Sequence, residues 1–376
     1  MHCRCLRIVI SGLVFISVLL TITPWSDHFT RDHRTNPRLN YAPRVQPTDK
    51  LKIQDSDRNV VFLKTHKTSS TTTAGIFQRY GLRHNNTFLI PQYYHILSTR
   101  NLFNASKVKP APPGINFNFL TNHIRFHRAE LDKVFKDAIY VTILRDTVSQ
   151  FESSFTFNYL ELYLPPNSRS IEAFLGDPET FYRRLREKSS PCAHMYRNYQ
   201  MYDLGLAPEN MDNESIELET EFDLVMITEF YDESLVLLKK LLNWDFPEVT
   251  YLSSNERVDE LRANLSAERK AKIRQWNHAD DLLYKHFNQT FWKKVSQYEG
   301  NFTEDLATFR DFQAKLMTDC VNSSHPFQLG DRRVRHYLLK QDAPSWCDIY
   351  TLGDQKLTDI IRDRMIARKV PLYPQN

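Results

Sequence analysis

The sequence predicts an α/β fold in which a central parallel sheet is flanked by helices. Two runs of β-forming residues, Val60–Leu63 and Ala138–Leu144, are almost wholly apolar, as in strands buried on both faces. Each run is followed by a polar segment and then by apolar residues at helical spacing. Strand, polar loop and helix in this order favour a parallel sheet whose ligands bind at the carboxyl ends of its strands.

The loop after the first run is rich in groups that bind anions. Lys64 and Lys67 carry charge and are followed by hydroxyl side chains, and the next helix is predicted to end at Gly81. The unpaired N–H groups and the dipole at the start of a helix favour an anion. The glycines of a Walker A loop are absent. A side-chain cap on an ordinary helix, with solvated lysines, explains the loop alone equally well.

A second anion-binding element is predicted after the run that ends at Leu144. Arg145 follows at the carboxyl end of this strand. A helix predicted over Val148–Tyr159 places Ser149 and Ser153 on one face. Arginine as a bidentate fork and serine as a short donor suit one more phosphate, which Arg145 and Ser153 would share.

Length and charge limit the class of protein. The chain has 376 residues, which one α/β enzyme domain with insertions accommodates, and a formal net charge of +4. This small excess of positive charge suits anionic ligands. Nucleic-acid-binding proteins show clustered basic stripes, so we expect no nucleic-acid partner.

The first 57 residues are predicted to lie outside the folded domain. The predicted parts are a cytosolic tail at 1–5, a transmembrane signal anchor at 6–23, a stem at 24–57 and the catalytic domain at 58–376. The apolar part of the anchor follows Arg4 and Arg7, and no small-x-small cleavage site follows it. This pattern predicts a single-pass type II membrane protein with a lumenal catalytic domain.

Sequons and cysteines agree with a lumenal domain. Sequons of the N-x-[ST] type, in excess of chance, lie at Asn85, Asn104, Asn213, Asn264, Asn288, Asn301 and Asn322. We place Asn85 close to the proposed active site and expect it to be glycosylated least often. Closeness in sequence predicts a Cys320–Cys347 disulfide. The cysteine spacing fits no zinc motif and the acidic residues are scattered, so no metal is expected.

In these elements the chain resembles the sulfotransferases that use 3′-phosphoadenosine 5′-phosphosulfate (PAPS), and among them the Golgi galactose 3-O-sulfotransferases. The resemblance covers most of the chain from 59 to 295, and its motifs lie at 62–71, 122–127, 143–155, 229–239 and 286–295. It departs at Thr147, where the family usually has proline. It implies a P-loop-kinase-like sulfotransferase fold, PAPS as sulfate donor, no metal and a Golgi membrane location. Galactosylceramide is the leading acceptor that it implies, and other β-galactoside glycans are the alternative.

The resemblance also assigns roles to residues. Donor binding falls to Lys64, Thr65, Lys67, Thr68, Ser69, Ser70, Thr71, Arg145 and Ser153. Lys67 would neutralise charge on the departing phosphate during in-line displacement at sulfur. A His-x-x-x-Phe setting shared with uronyl 2-O-sulfotransferases places the catalytic base at His123, with His66 as the competitor. Arg125 and His127 are candidate substrate contacts, and His127 is a third candidate for the base.

The rest of the chain is predicted to complete the sheet and its helices. Strands are predicted at Ile115–Thr121 and Phe222–Ile227, with a candidate edge strand at Tyr251–Leu252. The irregular stretch 85–114 is expected to cover the substrate. Beyond residue 300 we predict helices and loops without an assigned function.

Two functions of other classes are alternatives, an inactive lumenal glycan-binding protein on the same fold and a nucleotide-dependent kinase. The presence of Lys67, Arg145 and Ser153 together argues against the inactive protein, which would be expected to have lost at least one of them. The second lacks a Walker A loop and clear magnesium carboxylates. A homodimer is left open by the sequence.

Overall fold

The fold is taken from a computed structural model, which describes residues 58–190, 192–206, 218–253, 265–329 and 332–374. The predicted anchor and stem lie outside these residues. Within the described ranges, none of the helices combines the length and the apolar character that a bilayer crossing requires.

A four-stranded parallel sheet forms the centre of the described structure. Its strands are β1 (Val60–Leu63), β2 (Phe119–Leu120), β3 (Ile139–Leu144) and β4 (Leu224–Ile227). Their order is β2-β1-β3-β4. Every residue of β1 and β4 is buried, so both faces of these strands are covered. The predicted parallel sheet flanked by helices is therefore confirmed.

Helices follow the strands and cover the sheet. The α-helices are α1 (Ser70–Arg83), α2 (Arg128–Leu131), α3 (Thr147–Phe157), α4 (Ile171–Gly176), α5 (Pro178–Glu187), α6 (Tyr199–Asp203), α7 (Tyr231–Leu242), α8 (Phe246–Val249), α9 (Ala267–Trp276), α10 (His278–Ser296), α11 (Phe302–Cys320), α12 (Asp348–Thr351) and α13 (Asp354–Ala367). Among their contacts, α1 packs against α13, and α10 packs against α6 and β4. The carboxyl ends of β1 and β3 therefore lie beside α1, α3 and α6.

Aromatic side chains fill two buried clusters. In the main cluster, Phe77 of α1 stacks on Phe62 of β1 with ring centroids 5.1 Å apart. In the second, Phe174 of α4 lies 5.9 Å from Phe155 of α3 and 5.7 Å from Trp276 of α9. Burying one such side chain contributes roughly 1.5–3 kcal/mol. The second cluster thus attaches α3, which follows Arg145, to the helices beyond it.

The end of α1 differs from the prediction that Gly81 stops the helix. The helix continues to Arg83, and Asn85 adopts the left-handed conformation that ends it, with φ 57°. The N–H of Asn86 donates to the carbonyl of Gly81 at 2.9 Å, as in a Schellman motif. Gly81 serves packing instead, because a Cβ there would lie 2.3 Å from Phe88 Cζ.

The sequons occupy varied surroundings. Asn85, Asn104, Asn301 and Asn322 are exposed, and Asn288 is half-buried. Asn213 and Asn264 lie outside the described residues. The expectation that Asn85 lies near the site is wrong, because the length of α1, about 20 Å, separates it from the loop.

The region after α10 contains a strand pair that the sequence did not predict. Strands β5 (Val321–Leu329) and β6 (Arg332–Leu339) form an antiparallel pair. Tyr251–Leu252, by contrast, forms no strand. The predicted Cys320–Cys347 disulfide is confirmed, and it joins the end of α11 to the start of α12.

Candidate functional site

The loop between β1 and α1 is held in shape by its own hydroxyl groups. Thr65 Oγ1 donates to the carbonyl of Ile143 at 2.5 Å and lies 2.7 Å from Thr68 Oγ1. Ser70 Oγ donates to the carbonyl of Thr65. These hydroxyls are buried. Thr65, Thr68 and Ser70 therefore fix the shape of the loop.

The start of α1 suits an anion. Lys67 and Ser69 both have left-handed backbones, with φ 64° and 63°, a conformation typical of the N–H nests that bind anions. Ser69 is the N-cap residue, but its side chain makes no capping bond, and the first turn holds no acidic residue. An ordinary side-chain cap is therefore ruled out here. Thr71 lies half-buried in this first turn.

Lys67 lies in this loop, and the side chain of Arg145, which follows β3, reaches the loop. Arg145 Nη1 donates to the carbonyl of Lys67 at 3.1 Å. The ammonium group of Lys67 lies 3.5 Å from the ring centroid of Phe157, near the end of α3. One cation thus belongs to the loop and a second binds the loop backbone, and their charge complements a polyanionic ligand.

The backbone of Arg145 is fixed from α6. Gln200 Nε2 donates to the carbonyl of Arg145 at 2.9 Å, and Gln200 Oε1 accepts the N–H of Arg145 at 2.8 Å. The next residue, Asp146, caps α3 by accepting the N–H of Ser149 at 3.0 Å and pairs with Arg274 at 2.6 Å. One turn after Ser149, Ser153 lies half-buried on α3.

Lys64 makes a buried ion pair instead of pointing into the loop. Its Nζ lies 2.5 Å from Asp354 Oδ2, and the two side chains are 1% and 8% exposed. Asp354 begins α13, and its other carboxylate oxygen accepts from Gln78 at 3.4 Å. The pair therefore ties the first residue after β1 to a helix near the other end of the described chain.

Two histidine rings stack at the carboxyl edge of the sheet. The rings of His66 and His123 are 4.0 Å apart and inclined by 13°. The ring of Tyr199 is 4.7 Å from that of His66. Asp203 accepts the backbone N–H of His66 at 2.7 Å, and both of its oxygens lie 2.9 Å from His66 Nδ1.

His123 is a neutral, buried imidazole. Its Nδ1 lies 2.8 Å from the carbonyl of Lys64, which can only accept, so Nδ1 carries the proton and Nε2 the lone pair. Burial, with the nearby His66, Lys64 and His95, holds the pKa of His123 well below its ordinary value.

The two candidate substrate contacts bind backbone carbonyls. Arg125 donates to the carbonyls of Tyr202 and Arg100, each at 3.1 Å, and its guanidinium covers the Tyr202 ring. His127 Nδ1 lies 3.3 Å from the carbonyl of Phe103. In this structure both residues fasten the segment around 100–103 to the sheet edge.

Several residues of the site gave no signal in the sequence. These are Gln200, Asp203, Thr228 and Asp354. Thr228 Oγ1 binds the carbonyls of Thr68 and Leu144 at 2.8 and 3.0 Å. Each of these four residues lies far along the chain from the residue that it binds, and no local sequence motif marks any of them. A polar residue directly after a buried strand, as Thr228 is after β4, was the one available hint.

No group of three or more histidine, cysteine, aspartate or glutamate side chains within the described ranges is placed to hold a metal ion.

Comparison with known proteins gives a consistent family. A sequence model described as galactose-3-O-sulfotransferase matches residues 3–346, which include the loop, Arg145, both stacked histidines and Asp203 but not Asp354. The chain is 36% identical to galactosylceramide sulfotransferase of Homo sapiens over 311 residues, which cover 76% of this chain and 72% of that protein. It is 38% identical to galactose-3-O-sulfotransferase 3 of Bos taurus over 334 residues, covering 82% and 75%. With galactose-3-O-sulfotransferase 2 of Homo sapiens the identity is 34% over 295 residues, covering 74% and 73%.

Proposed function

Because this chain belongs to the galactose-3-O-sulfotransferase family, we propose that it transfers sulfate from PAPS to the 3-hydroxyl of a terminal β-galactose. The supporting observation is that the uncapped start of α1, Lys67, Arg145 and the stacked histidines meet at one sheet edge. The strand, loop and helix order also supports a P-loop-kinase-like sulfotransferase fold.

The residues present fit the donor. The N–H groups at the start of α1, with Lys67, suit a 5′-phosphosulfate, and Arg145 with Ser153 suits a 3′-phosphate. PAPS supplies the activated sulfuryl group when it is bound. Lys67 and the helix start then neutralise the negative charge that grows on the departing phosphate, which lowers the barrier. Lys64 supports the loop through its buried ion pair with Asp354.

We propose that His66 takes the proton from the galactose hydroxyl, with His123 stacked against it. The sequence favoured His123 and kept His66 as the competitor. When Nε2 of His66 takes the proton, the positive charge of the ring would lie beside the carboxylate of Asp203, whereas burial and nearby positive charge oppose a proton on His123. Exposure agrees, because the side chain of His66 is 18% exposed, whereas His123 as a residue is buried.

Galactosylceramide is the acceptor that we propose first. The 36% identity to a galactosylceramide sulfotransferase supports it. The 38% identity to a galactose-3-O-sulfotransferase 3 supports another galactose-terminated glycan as the second candidate. Tyr93 and Tyr94 are each 58% exposed in a segment whose Leu97 N–H binds the carbonyl of His123 at 3.0 Å. We propose that Tyr93 and Tyr94 contact the part of the acceptor that lies beyond the galactose.

We further propose a Golgi location with the domain in the lumen, behind the anchor predicted at 6–23. The disulfide and the four exposed sequons agree with a secretory compartment. Expression in secretory cells should give a membrane-bound protein whose mass falls after treatment with peptide N-glycosidase. An unchanged mass in a soluble fraction would oppose this location.

Sulfate transfer by the purified full-length protein in detergent tests the activity. Radiolabelled PAPS would be offered with galactosylceramide and, in parallel, with N-acetyllactosamine glycans. Lys67→Ala is the matched negative control, because it removes one charge from the loop. We expect labelled lipid from the wild type and a loss of about 100-fold or more in the variant.

The outcomes separate the candidates. Label on the glycan alone would make the second acceptor the correct one. Binding of 3′-phosphoadenosine 5′-phosphate without transfer to either acceptor would oppose the proposed activity and favour an inactive glycan-binding protein.

A further inference from the structure

We propose that Asp203 is a positioning residue for sulfate transfer, which fixes the ring of His66 in the tautomer and the orientation that a base requires. This inference rests on the proposed function and on His66 as its base. Nothing in the sequence marks Asp203, which lies 137 positions from His66 in the chain.

The contacts of Asp203 hold His66 at two points. One carboxylate oxygen accepts the backbone N–H of His66 at 2.7 Å, and both oxygens lie 2.9 Å from its Nδ1. Asp203 itself is 1% exposed, so water competes little for these bonds. The carboxylate of Asp203 thus fixes both the backbone of His66 and the orientation of its ring.

A carboxylate also decides which nitrogen carries the proton. Because ionised Asp203 can only accept, Nδ1 must donate, and the lone pair is left on Nε2. Within the described part of the chain, no residue makes a hydrogen bond to Nε2 of His66. That atom is therefore the one through which His66 can meet an acceptor hydroxyl.

Asp203 stands on a short helix that is itself firmly anchored. Asp280 of α10 accepts the backbone N–H groups of Gln200 and Met201 at 3.1 and 2.9 Å. At the start of α6, Asn198 N–H donates to Asn277 Oδ1 at 2.8 Å. These bonds hold α6 against the start of α10, so the carboxylate of Asp203 has a fixed position.

The same helix contacts the donor side of the site. Gln200 of α6 fixes the backbone of Arg145, and Tyr199 stacks on His66. Helix α6 therefore sets the distance between the proposed base and the arginine assigned to the donor. Asp203 is the member of α6 whose side chain binds Nδ1 of the proposed base.

Asp203→Asn tests this role because asparagine keeps the shape of the side chain. Its oxygen can still accept the backbone N–H of His66, but its NH₂ group would donate to Nδ1 and force the proton to Nε2. We expect kcat for sulfate transfer to fall by about 100-fold or more, as for a base held in the wrong tautomer. The KM for PAPS should change less than threefold, since Arg145 and the loop are untouched.

A double-variant cycle separates positioning from a structural role. If Asp203 acts only through His66, then Asp203→Asn should have no further effect on kcat in a His66→Ala background. Asp223→Asn is the matched control. Asp223 also accepts a backbone N–H, that of Tyr140 at 2.8 Å, but at the amino end of β3. Its activity should equal that of the wild type.

Each result has a defined meaning. Full activity of a folded Asp203→Asn protein, or an equal further loss in the His66→Ala background, would overturn the inference. An inactive wild type would instead oppose the proposed function. If Asp203→Asn fails to fold, Asp203→Glu takes its place. Its longer carboxylate keeps the tautomer but moves the ring, so a partial loss of kcat, smaller than that of His66→Ala, is expected. Full activity of Asp203→Glu would again contradict the role.

Discussion

At the scale of single residues, two histidines are held in their neutral form by their surroundings. Burial, with the positive charge of Arg125 and Arg100 and the neighbouring His66, lowers the pKa of His194 to about 3. Burial also lowers the pKa of His123. A free histidine in the unfolded chain takes up a proton near pH 6.5.

These shifts predict that the folded protein loses stability in acid. Below pH 6.5 the unfolded chain binds protons that the folded chain excludes, so this stability is complete above pH 6.5 and is lost as pH falls toward the folded values. For His194 the loss at pH 5 is about 2 kcal/mol. Urea unfolding at pH 7 and pH 5 would measure it.

His194→Phe is the matched variant for this effect. Phenylalanine keeps an aromatic ring against Tyr202, which stacks on His194 at 4.4 Å, but cannot titrate. The difference in unfolding free energy between the two pH values should shrink by about 2 kcal/mol. An unchanged difference would show that His194 titrates normally in the folded protein.

At the scale of elements, Gly81 is explained by packing between α1 and the segment that follows it. A Cβ at this position would lie 2.3 Å from the ring of Phe88, which is 1% exposed. We expect Gly81→Ala to destabilise the protein by about 1–3 kcal/mol, despite the better helix propensity of alanine. Thermal or urea unfolding would measure the change.

Gly176→Ala is the control for Gly81→Ala. Gly176 also lies in a helix, but nothing lies within 4 Å of a Cβ built there. Its substitution should be neutral or stabilising by up to about 1 kcal/mol. Equal effects of the two variants would contradict the packing explanation, and recovery of Gly81→Ala by Phe88→Leu would support it.

The sequence predicted those elements whose residues carry their own signal. Strands β1, β3 and β4 are buried apolar runs. Such a run can be recognised in the sequence without knowing which strand it pairs with. The end of α1 was misplaced because glycine commonly follows the last turn of a helix, whereas Gly81 lies within α1 and relieves crowding against Phe88. Strands β5 and β6 carry polar residues such as Ser323 and Ser324. Their sequences therefore lack the alternation of apolar and polar residues that would have predicted strands.

The site was predicted only in part for a similar reason. Lys67 and Arg145 could be found because each follows a recognisable strand. Asp203 and Asp354 could not, because their importance arises from contacts with residues 137 and 290 positions away. Long-range pairs of this kind exist only once the sheet and its helices are assembled.

At the scale of the whole molecule, the Lys64–Asp354 pair links the start of the loop to α13. Removing one partner of a buried pair leaves an uncompensated charge, so Asp354→Ala should destabilise the protein by about 3–5 kcal/mol. Replacing both partners by apolar residues, Lys64→Met with Asp354→Leu, should recover most of this loss. Urea unfolding of the three proteins would measure both effects.

Sulfate transfer by the same double variant decides what Lys64 does. A stable but inactive double variant would show that the charge of Lys64 is itself needed, as its assignment to donor binding predicts. A stable and active one would make the pair structural. A cost below about 1 kcal/mol for Asp354→Ala would contradict the importance of the pair.

The same ion pair has a consequence for biosynthesis. Lys64 and Asp354 are 290 residues apart, so at about 5–20 residues per second the ribosome makes the partner about 15–60 s after the lysine. During this interval the nascent chain contains β1 and its loop but lacks the carboxylate that Lys64 needs for burial. We therefore expect the loop to close after translation has passed residue 354, and the unfinished chain to depend on chaperones until then.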